Sequence, residues 1–179
     1  MAAIKSVADL GDILQLAYVP SDVEGALNYW INTIGAGPFY HNPHIVFETM
    51  HYMGEPTALD MSSWLGYWGE TQIEIIKQHN DAPSIFKDWR SRGLEGIHHL
   101  GLLAPPGARA YLVKSGATIV QDGALGGADF FYADLGGGPG SMVEIMMNSQ
   151  LAHDVFGAMR AAARNWDRQT PIREIATIL

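Results

Sequence analysis

The sequence contains no cysteine, which excludes disulfides, thiolate nucleophiles and cysteine-ligated zinc sites. Basic residues are scarce, with 11 lysines and arginines against 19 acidic residues, so no basic surface is available to neutralise nucleic-acid phosphates. The chain also lacks an apolar run of membrane-spanning length and the basic and apolar regions of a signal peptide. We therefore expect a cytoplasmic protein that binds neither nucleic acid nor a membrane.

The composition is that of a globular protein. Hydrophobic residues make up 47% of the 179 positions and charged residues only 17%. This length is sufficient for one well-buried domain, or for two small modules that share a core. The 20 glycines and nine prolines predict frequent turns between short elements.

The first half of the chain begins with a strand–helix pattern. Residues 13–19 predict a strand that stops at Pro20. Ser21 and Glu24 have the spacing of a capping box, and Gly35 marks the end of the helix that follows. Helical periodicity predicts one apolar stripe, formed by Leu27, Trp30, Ile31 and Ile34. Three strands are predicted between residues 39 and 78, and the last of them covers residues 71–76.

The same order then begins again after a polar segment. A short helix with Ser84 near its start is the predicted linker, and a further helix is predicted at the C-terminal end. The intervening predictions are a strand at residues 97–103, a helix at 108–115 and strands at 118–121, 129–134 and 141–147, with glycine-rich turns at 123–127 and 136–140. The chain therefore contains an internal repeat, which is stronger evidence of fold than any single propensity.

We predict an α+β fold in which two βαβββ modules form a curved, half-barrel-like mixed sheet, followed by a C-terminal helix. Residues 1–179 would form a single domain. The predicted limits are about 11–80 for the first module, 81–96 for the linker helix, 97–148 for the second module and 151–167 for the C-terminal helix.

Four polar residues occupy matching positions in the two copies, in strands that are otherwise apolar. Gln15 corresponds to His99, and Glu74 corresponds to Glu144. A carboxylate buried among apolar neighbours needs a partner, and two carboxylates, an imidazole and an amide oxygen suit a divalent cation. Any one of the four, taken alone, is more typical of an ordinary surface or core residue. As a repeat-related set they predict a metal site.

Other histidines leave alternatives open. His98 is expected to face the opposite side of its strand, and it would replace His99 as the ligand if the register were shifted by one residue. The repeat favours His99. A turn-rich segment contains His41, His44 and His51, which weakly suggest a second metal site but are more typical of a pocket rim or surface.

Several motifs resemble those of the vicinal oxygen chelate superfamily, which includes glyoxalase I, methylmalonyl-CoA epimerase, extradiol dioxygenases and bleomycin-resistance proteins. They are Leu-Gln-Leu-Ala-Tyr-Val-Pro-Ser-Asp, Gly-Ala-Gly-Pro-Phe, Gln-Ile-Glu-Ile-Ile, Gly-Ile-His-His-Leu-Gly and Met-Val-Glu-Ile-Met. The resemblance covers residues 13–147. It places the four ligands of the family at Gln15, Glu74, His99 and Glu144, a set similar to that of some glyoxalase I enzymes.

The resemblance implies a metal-dependent lyase or isomerase of the glyoxalase type, acting on a carbon next to a carbonyl through a metal-stabilised enolate. Glu144 and Glu74 would be the catalytic residues: one of them would move the proton as general base and then acid, with a weak preference for Glu144. One divalent ion is expected, namely zinc, nickel, cobalt, manganese or iron. The middle strands are rich in methionine and aromatic residues, which suit a small apolar substrate. A homodimer is also expected.

Three alternatives remain at this stage. The first is an iron(II) dioxygenase, which would need an open three-ligand site. The ring-opening dioxygenases of the superfamily use two histidines and one carboxylate, so Gln15 at the first ligand position disfavours that chemistry. A non-catalytic protein of the bleomycin-resistance type would sequester a small molecule without a metal. The four polar residues could also face solvent on an interaction scaffold.

Overall fold

The computed structural model describes residues 4–178. Within residues 4–80, the chain contains six strands and one α-helix, which continues into a π-helical segment. Their order is β1 (Gln15–Tyr18), α1 (Val23–Asn28), the π-helical segment (Tyr29–Ile34), β2 (Phe39–Asn42), β3 (Thr49–Tyr52), β4 (Glu55–Pro56), β5 (Met61–Trp68) and β6 (Thr71–Gln78).

The second half repeats a strand–helix–strand order and contains a long C-terminal helix, which a short strand follows. Its elements are α2 (Ile85–Ser91), β7 (Ile97–Ala104), α3 (Ala108–Lys114), β8 (Thr118–Leu125), β9 (Ala128–Asp134), β10 (Met142–Met147), α4 (Gln150–Arg164) and β11 (Ile172–Glu174). Short 3₁₀ helices cover Val7–Leu10 and Ile175–Thr177. No helix within residues 4–178 is both long and apolar enough to cross a membrane.

All eleven strands belong to one curved, unclosed sheet, in the order β11-β2-β5-β6-β1-β7-β10-β9-β8-β3-β4. β1 and β7 pair antiparallel at its centre, while the β1–β6 and β7–β10 pairs are parallel. Outward from this seam the order is β1-β6-β5-β2 on one side and β7-β10-β9-β8 on the other. The predicted α+β class with a curved mixed sheet is confirmed. We retain the division into two modules as a proposal that the repeated order supports.

The region between residues 39 and 78 differs from the prediction, because it contains five strands rather than three. The additional β3–β4 hairpin crosses to the other half of the sheet, where β3 pairs antiparallel with β8. Gly123 permits this pairing, since a Cβ atom there would lie 2.5 Å from the carbonyl oxygen of Thr49. Residues 123–127 are therefore not one turn: β8 continues through Leu125, and only Gly126 and Gly127 form the turn.

Side-chain hydrogen bonds cap the N-termini of α1 and α2, and the cap of α1 differs from the predicted one. The N-cap of α1 is Asp22, whose carboxylate accepts a hydrogen bond from the Gly25 amide at 2.9 Å, so the predicted capping box at Ser21 and Glu24 is wrong. Ser84 caps α2 by accepting a hydrogen bond from the amide of Lys87. Gly35 closes the first helical segment with φ 83°, as predicted.

Each face of the sheet is covered by different elements. One face packs against α1 and α3, and the predicted stripe residues Leu27, Trp30 and Ile31 are buried there. On the opposite face lie α2 and residues 45–59 at one end and α4 at the other. Ala17 and Ile76 belong to this second face and are almost completely buried. Since residues two apart share a face, Gln15 and Glu74 lie there as well.

Candidate metal centre

The four predicted ligands lie on four neighbouring strands in the middle of the sheet, namely β1, β6, β7 and β10. Pairing across the seam places them in two adjacent rows. In one row Glu74 is level with Ala17 and His99. In the next row Gln15 and Glu144 are both paired with Gly101. The strand register therefore brings residues from both halves of the chain into two adjacent rows in the middle of the sheet.

Three of the four side chains converge closely. The Nε2 atom of His99 lies 3.3 Å from Oε2 of Glu144 and 3.6 Å from Oε2 of Glu74. One ligand atom from each residue lies within 4.8 Å of the other two. His99 is fully buried, while Glu74 and Glu144 are 9% and 7% exposed. Such a group of two carboxylates and one imidazole can hold a divalent ion.

A chain of buried hydrogen bonds fixes the orientation of the Gln15 side chain. Its Nε2 donates to Oε1 of Gln72 at 2.8 Å, and Nε2 of Gln72 donates to the hydroxyl of Tyr67 at 3.2 Å. Oε1 of Gln15 is therefore the free end of the carboxamide. It lies beside Gly101, where a Cβ atom would be only 2.6 Å away. The missing side chain at Gly101 makes room for this oxygen.

Two of these atoms are left without a hydrogen-bond partner. Among residues 4–178, four buried side-chain atoms have none: Gln15 Oε1, Trp89 Nε1, His99 Nε2 and Gln121 Nε2. Each such atom costs roughly 1–3 kcal/mol. A cation held by Glu74, His99 and Glu144 would satisfy His99 Nε2 and neutralise two carboxylates, and Gln15 Oε1 in the adjacent row is the candidate for a fourth donor. The residues present therefore fit a divalent metal ion.

The electrostatics of the centre favour bound protons when no cation is present. Burial raises the pKa of Glu74, and the neighbouring Glu144 charge raises it further. Burial acts to lower the pKa of His99, but the Glu144 and Glu74 carboxylates outweigh it and raise that pKa to about 9. These groups titrate together, and a divalent cation would have to displace their protons.

Tyr132 is a neighbour of the centre that the sequence did not identify as part of it. It is paired with Glu144 across β9 and β10, and its ring contacts that of His99 edge-on with centroids 5.1 Å apart. Burial, followed by the two carboxylates, raises its pKa well above the ordinary value, so the phenol stays neutral. From the sequence it was only one of several aromatic residues, because the register between strands decides this contact.

His98 does not face the opposite side of the sheet, so that prediction is wrong. Ala17 is paired with His99 and Tyr18 with Ile97, which leaves His98 as the extra residue of a β-bulge. Its Nδ1 atom lies 2.9 Å from Nδ1 of His99 rather than near the carboxylates. Burial, then the neighbouring His99, lowers the pKa of His98 to about 3, so this imidazole is neutral.

The weakly predicted second site is not formed. His44 pairs with Asp60 and His51 with Asp122, while His41 stacks on Trp64. Within residues 4–178, Glu74, His99 and Glu144 are the only group of three or more residues that could hold a metal ion.

Ser62 contacts His79, a pairing that no local sequence pattern indicates. Its hydroxyl is buried and donates to the Pro43 carbonyl, which is not the arrangement of a nucleophile.

Comparison with known proteins gives similarity in structure only. No family profile matches the chain, and no curated protein matches it. A hypothetical protein from Bacillus halodurans superposes with a TM-score of 0.56 at 14% identity, covering 78% of this chain and 96% of that one. A mutant of 4-hydroxymandelate synthase from Streptomyces coelicolor gives a TM-score of 0.55 at 14% identity, covering 77% and 38%.

A variant of methylmalonyl-CoA epimerase from Streptomyces coelicolor, in complex with 2-nitronate-propionyl-CoA, gives a TM-score of 0.50. Its identity is 14%, and the match covers 79% of this chain and 96% of the epimerase. These matched proteins belong to the vicinal oxygen chelate superfamily. At such identities the similarity establishes the fold and not the activity. The chain therefore has the vicinal oxygen chelate fold that its sequence predicted.

Proposed function

We propose that this protein is a metal-dependent isomerase, epimerase or lyase that acts on a carbon next to a carbonyl group. The observation that carries the proposal is the buried group of Glu74, His99 and Glu144, with the unpartnered Gln15 oxygen in the adjacent row. The four residues come from the central strands of both halves of the sheet.

These residues would hold one divalent cation through two carboxylate oxygens, one imidazole nitrogen and one amide oxygen. Two carboxylates balance the charge of such an ion, and the mixed donor set accepts zinc, nickel, cobalt, manganese or iron. When bound, the ion would supply a Lewis acid that stabilises negative charge on the substrate carbonyl oxygen.

Glu74 and Glu144 are the groups that would move the proton. Burial raises the pKa of Glu74 when no cation is bound, as expected for a carboxylate that can accept a proton. The two side chains approach His99 from opposite sides, on β6 and β10. In a reaction that inverts the carbon, one carboxylate could remove the proton and the other could return it. We propose both as catalytic residues and assign neither as the sole base.

The surroundings favour a small apolar substrate. Apart from the proposed ligands, the sheet face beneath α2 presents mainly apolar side chains, including Ala17, Ile76, Phe130 and Met146, and Trp89 of α2 packs against them. Two clefts of about 310 and 590 Å³ lie on the protein, but their linings include none of the four proposed ligands. Because α2 and residues 45–59 cover this side of the sheet, we propose that the cover moves when a substrate enters.

Homodimer formation remains a prediction without structural support. The sequence feature that would favour a dimer is an exposed apolar stripe on the C-terminal helix, formed by Leu151, Val155, Met159 and Trp166. In the structure Val155 and Met159 pack against Tyr40 and Tyr67 of the same chain, whereas Leu151 is exposed. Most of the stripe therefore packs within the protomer.

Elemental analysis of the purified protein tests the proposal first. We expect about one divalent ion per chain in the wild type and none in Glu144→Gln or His99→Gln. Glu55→Gln is the matched control, because it removes an exposed carboxylate from β4. A wild type that stays metal-free after incubation with each of the five cations contradicts the metal centre and leaves small-molecule sequestration as the better explanation.

Turnover requires a separate assay. Small carbonyl compounds incubated with the metal-loaded protein in D₂O should exchange the proton on the carbon next to the carbonyl, as followed by proton NMR. Exchange should be lost in a Glu74→Gln, Glu144→Gln double variant and kept in Glu55→Gln. Equal exchange in the double variant would contradict the role of the two carboxylates.

A further inference from the structure

Two consecutive imidazoles meet beside the proposed metal centre because of the bulge in β7. In a regular strand His98 and His99 would face opposite sides of the sheet. The bulge opposite Ala17 and Tyr18 removes His98 from this alternation and leaves its ring edge-on to that of His99, with centroids 5.2 Å apart. The contact is thus produced by the backbone and not by chance rotation of a surface side chain.

The hydrogen bonds around His98 determine which nitrogen carries each proton. Nε2 of His98 lies 3.4 Å from the carbonyl oxygen of Ile85, which can only accept, so this nitrogen carries the proton. The His98 ring packs against Phe86 and Trp89 and contacts no carboxylate of residues 4–178, so a second proton would have no counter-charge there and Nδ1 is the acceptor. It lies 2.9 Å from Nδ1 of His99, so the proton in that contact belongs to His99.

The same arrangement directs the other nitrogen of His99 towards the carboxylates. With Nδ1 committed as a donor to His98, Nε2 is the nitrogen that points at Glu74 and Glu144. A ligating imidazole needs its second nitrogen held in this way, because that bond sets both the tautomer and the ring orientation. The acceptor is usually a carboxylate, a backbone carbonyl or water.

His98 is itself held rigidly. It is 3% exposed, and its ring lies edge-on to Trp89 at 5.0 Å and tilted against Phe86 at 5.4 Å between centroids. Both aromatic residues belong to α2, as does the Ile85 carbonyl. The orientation of His99 is therefore connected through His98 to the helix that covers the site.

We propose that His98 is a positioning residue, which accepts a hydrogen bond from His99 Nδ1 and so presents His99 Nε2 to a divalent cation. This inference rests on the proposed metal centre. It assigns no contact between His98 and the cation or the substrate. The predicted consequence is that the acceptor at position 98, more than the ring itself, determines metal affinity.

Two substitutions separate the acceptor from the ring. His98→Phe keeps an aromatic ring against Phe86 and Trp89 but removes the acceptor. His98→Asn removes the ring but places Oδ1 at the position of the imidazole Nδ1, since both atoms are bonded to Cγ. Phe86→Leu is the control that loosens the packing of His98 and leaves its hydrogen bonds intact.

Titration with cobalt(II) alone, without substrate, measures the effect. We expect His98→Phe to weaken affinity by roughly 10- to 100-fold. His98→Asn and Phe86→Leu should stay within a few-fold of the wild type. Wild-type affinity in a folded His98→Phe variant would overturn the inference, as would equal losses in all three variants, which would indicate general loosening of the core.

Imidazole ¹⁵N NMR of the metal-free wild type provides a test that is independent of cation binding. We expect the proton of His98 on Nε2 and an unprotonated Nδ1, with His99 protonated at Nδ1. A proton on Nδ1 of His98 would overturn the inference. Absence of cobalt binding in the wild type would instead overturn the proposed function, and the orientation of the two rings would still be decided by this spectrum.

Discussion

Gly101 shows at the scale of one residue how an absent side chain shapes the centre. It lies between Gln15 on β1 and Glu144 on β10 in the sheet register. A Cβ atom at this position would lie 2.6 Å from Oε1 of Gln15 and 3.0 Å from its Cβ. Oε1 lies at the end of a flexible side chain, so we expect the Gln15 carboxamide to rotate away while the pairing of β1 with β7 is kept.

We therefore expect Gly101→Ala to fold, at a cost of about 1–3 kcal/mol, and to bind a divalent cation more weakly. The loss follows from displacement of the Gln15 oxygen. Isothermal titration with zinc measures the affinity, and circular dichroism reports the fold. Gly157→Ala is the control, because a Cβ atom there meets nothing within 4 Å. Unchanged affinity in Gly101→Ala would contradict Gln15 as a ligand.

At the scale of elements, α4 is attached to the turn between β5 and β6 by one acidic residue. Glu70 accepts hydrogen bonds from Arg164 at 2.6 Å and from Arg160 at 3.2 Å. The Arg164 contact first, and then that of Arg160, lowers the pKa of Glu70. The Glu70–Arg164 ion pair is exposed to solvent, so its contribution to stability is small and sensitive to salt.

The sign of the pH dependence follows from this lowered pKa. A carboxyl group whose pKa is lower in the folded state stabilises the fold above its unfolded pKa and loses this effect as the pH falls through the folded value. Thermal unfolding of Glu70→Gln should therefore occur slightly below wild type at pH 7 and level with it at pH 2. A difference that is equal at both pH values would contradict the ion pair.

Glu55→Gln is the matched control for this comparison. Glu55 is exposed on β4 and forms no ion pair within residues 4–178. Its substitution should leave the unfolding temperature unchanged at either pH.

At the scale of the whole molecule, the proposed centre joins the two halves of the sheet. Gln15 and Glu74 come from one side of the β1–β7 seam, and His99 and Glu144 come from the other. A cation held by all four would bind the folded chain and not the unfolded one. Stability should then depend on cation concentration through mass action.

We expect a cation at 100 times its dissociation constant to stabilise the wild type by about 2.7 kcal/mol. For a chain of this size that corresponds to roughly 5–10 °C in unfolding temperature. A Glu74→Gln, Glu144→Gln double variant should show no shift. Differential scanning calorimetry with and without chelator measures both, and an equal shift in the two proteins would place the binding elsewhere.

The four polar residues of the proposed metal centre could be selected from the sequence because their signal is local. Gln15, Glu74, His99 and Glu144 each interrupt a strand pattern of apolar residues, and they match in pairs between the two halves. The expectation that they approach one another needed only the repeat and the two-residue period of a strand. Whether they ligate a metal remains a prediction that the elemental analysis decides.

Other features could not be predicted, since they depend on hydrogen bonds between distant strands. The alternation of a strand places His98 away from His99, and only the pairing of β7 with β1 creates the bulge that reverses this. Tyr132 reaches Glu144 through the β9–β10 register, which no periodicity within β9 specifies. The β3–β4 hairpin pairs with β8 about 70 positions further along the chain.

The sequence by itself determined the fold class and the polar residues proposed as ligands, because periodicity and repetition can be recognised along the chain. The tertiary structure decided the contacts of these residues. His99 contacts His98, Gln15 donates a hydrogen bond to Gln72, and the absent side chain of Gly101 leaves room for the Gln15 oxygen. These depend on strand register and on a single bulge, which are set by long-range pairing and core packing rather than by local preference.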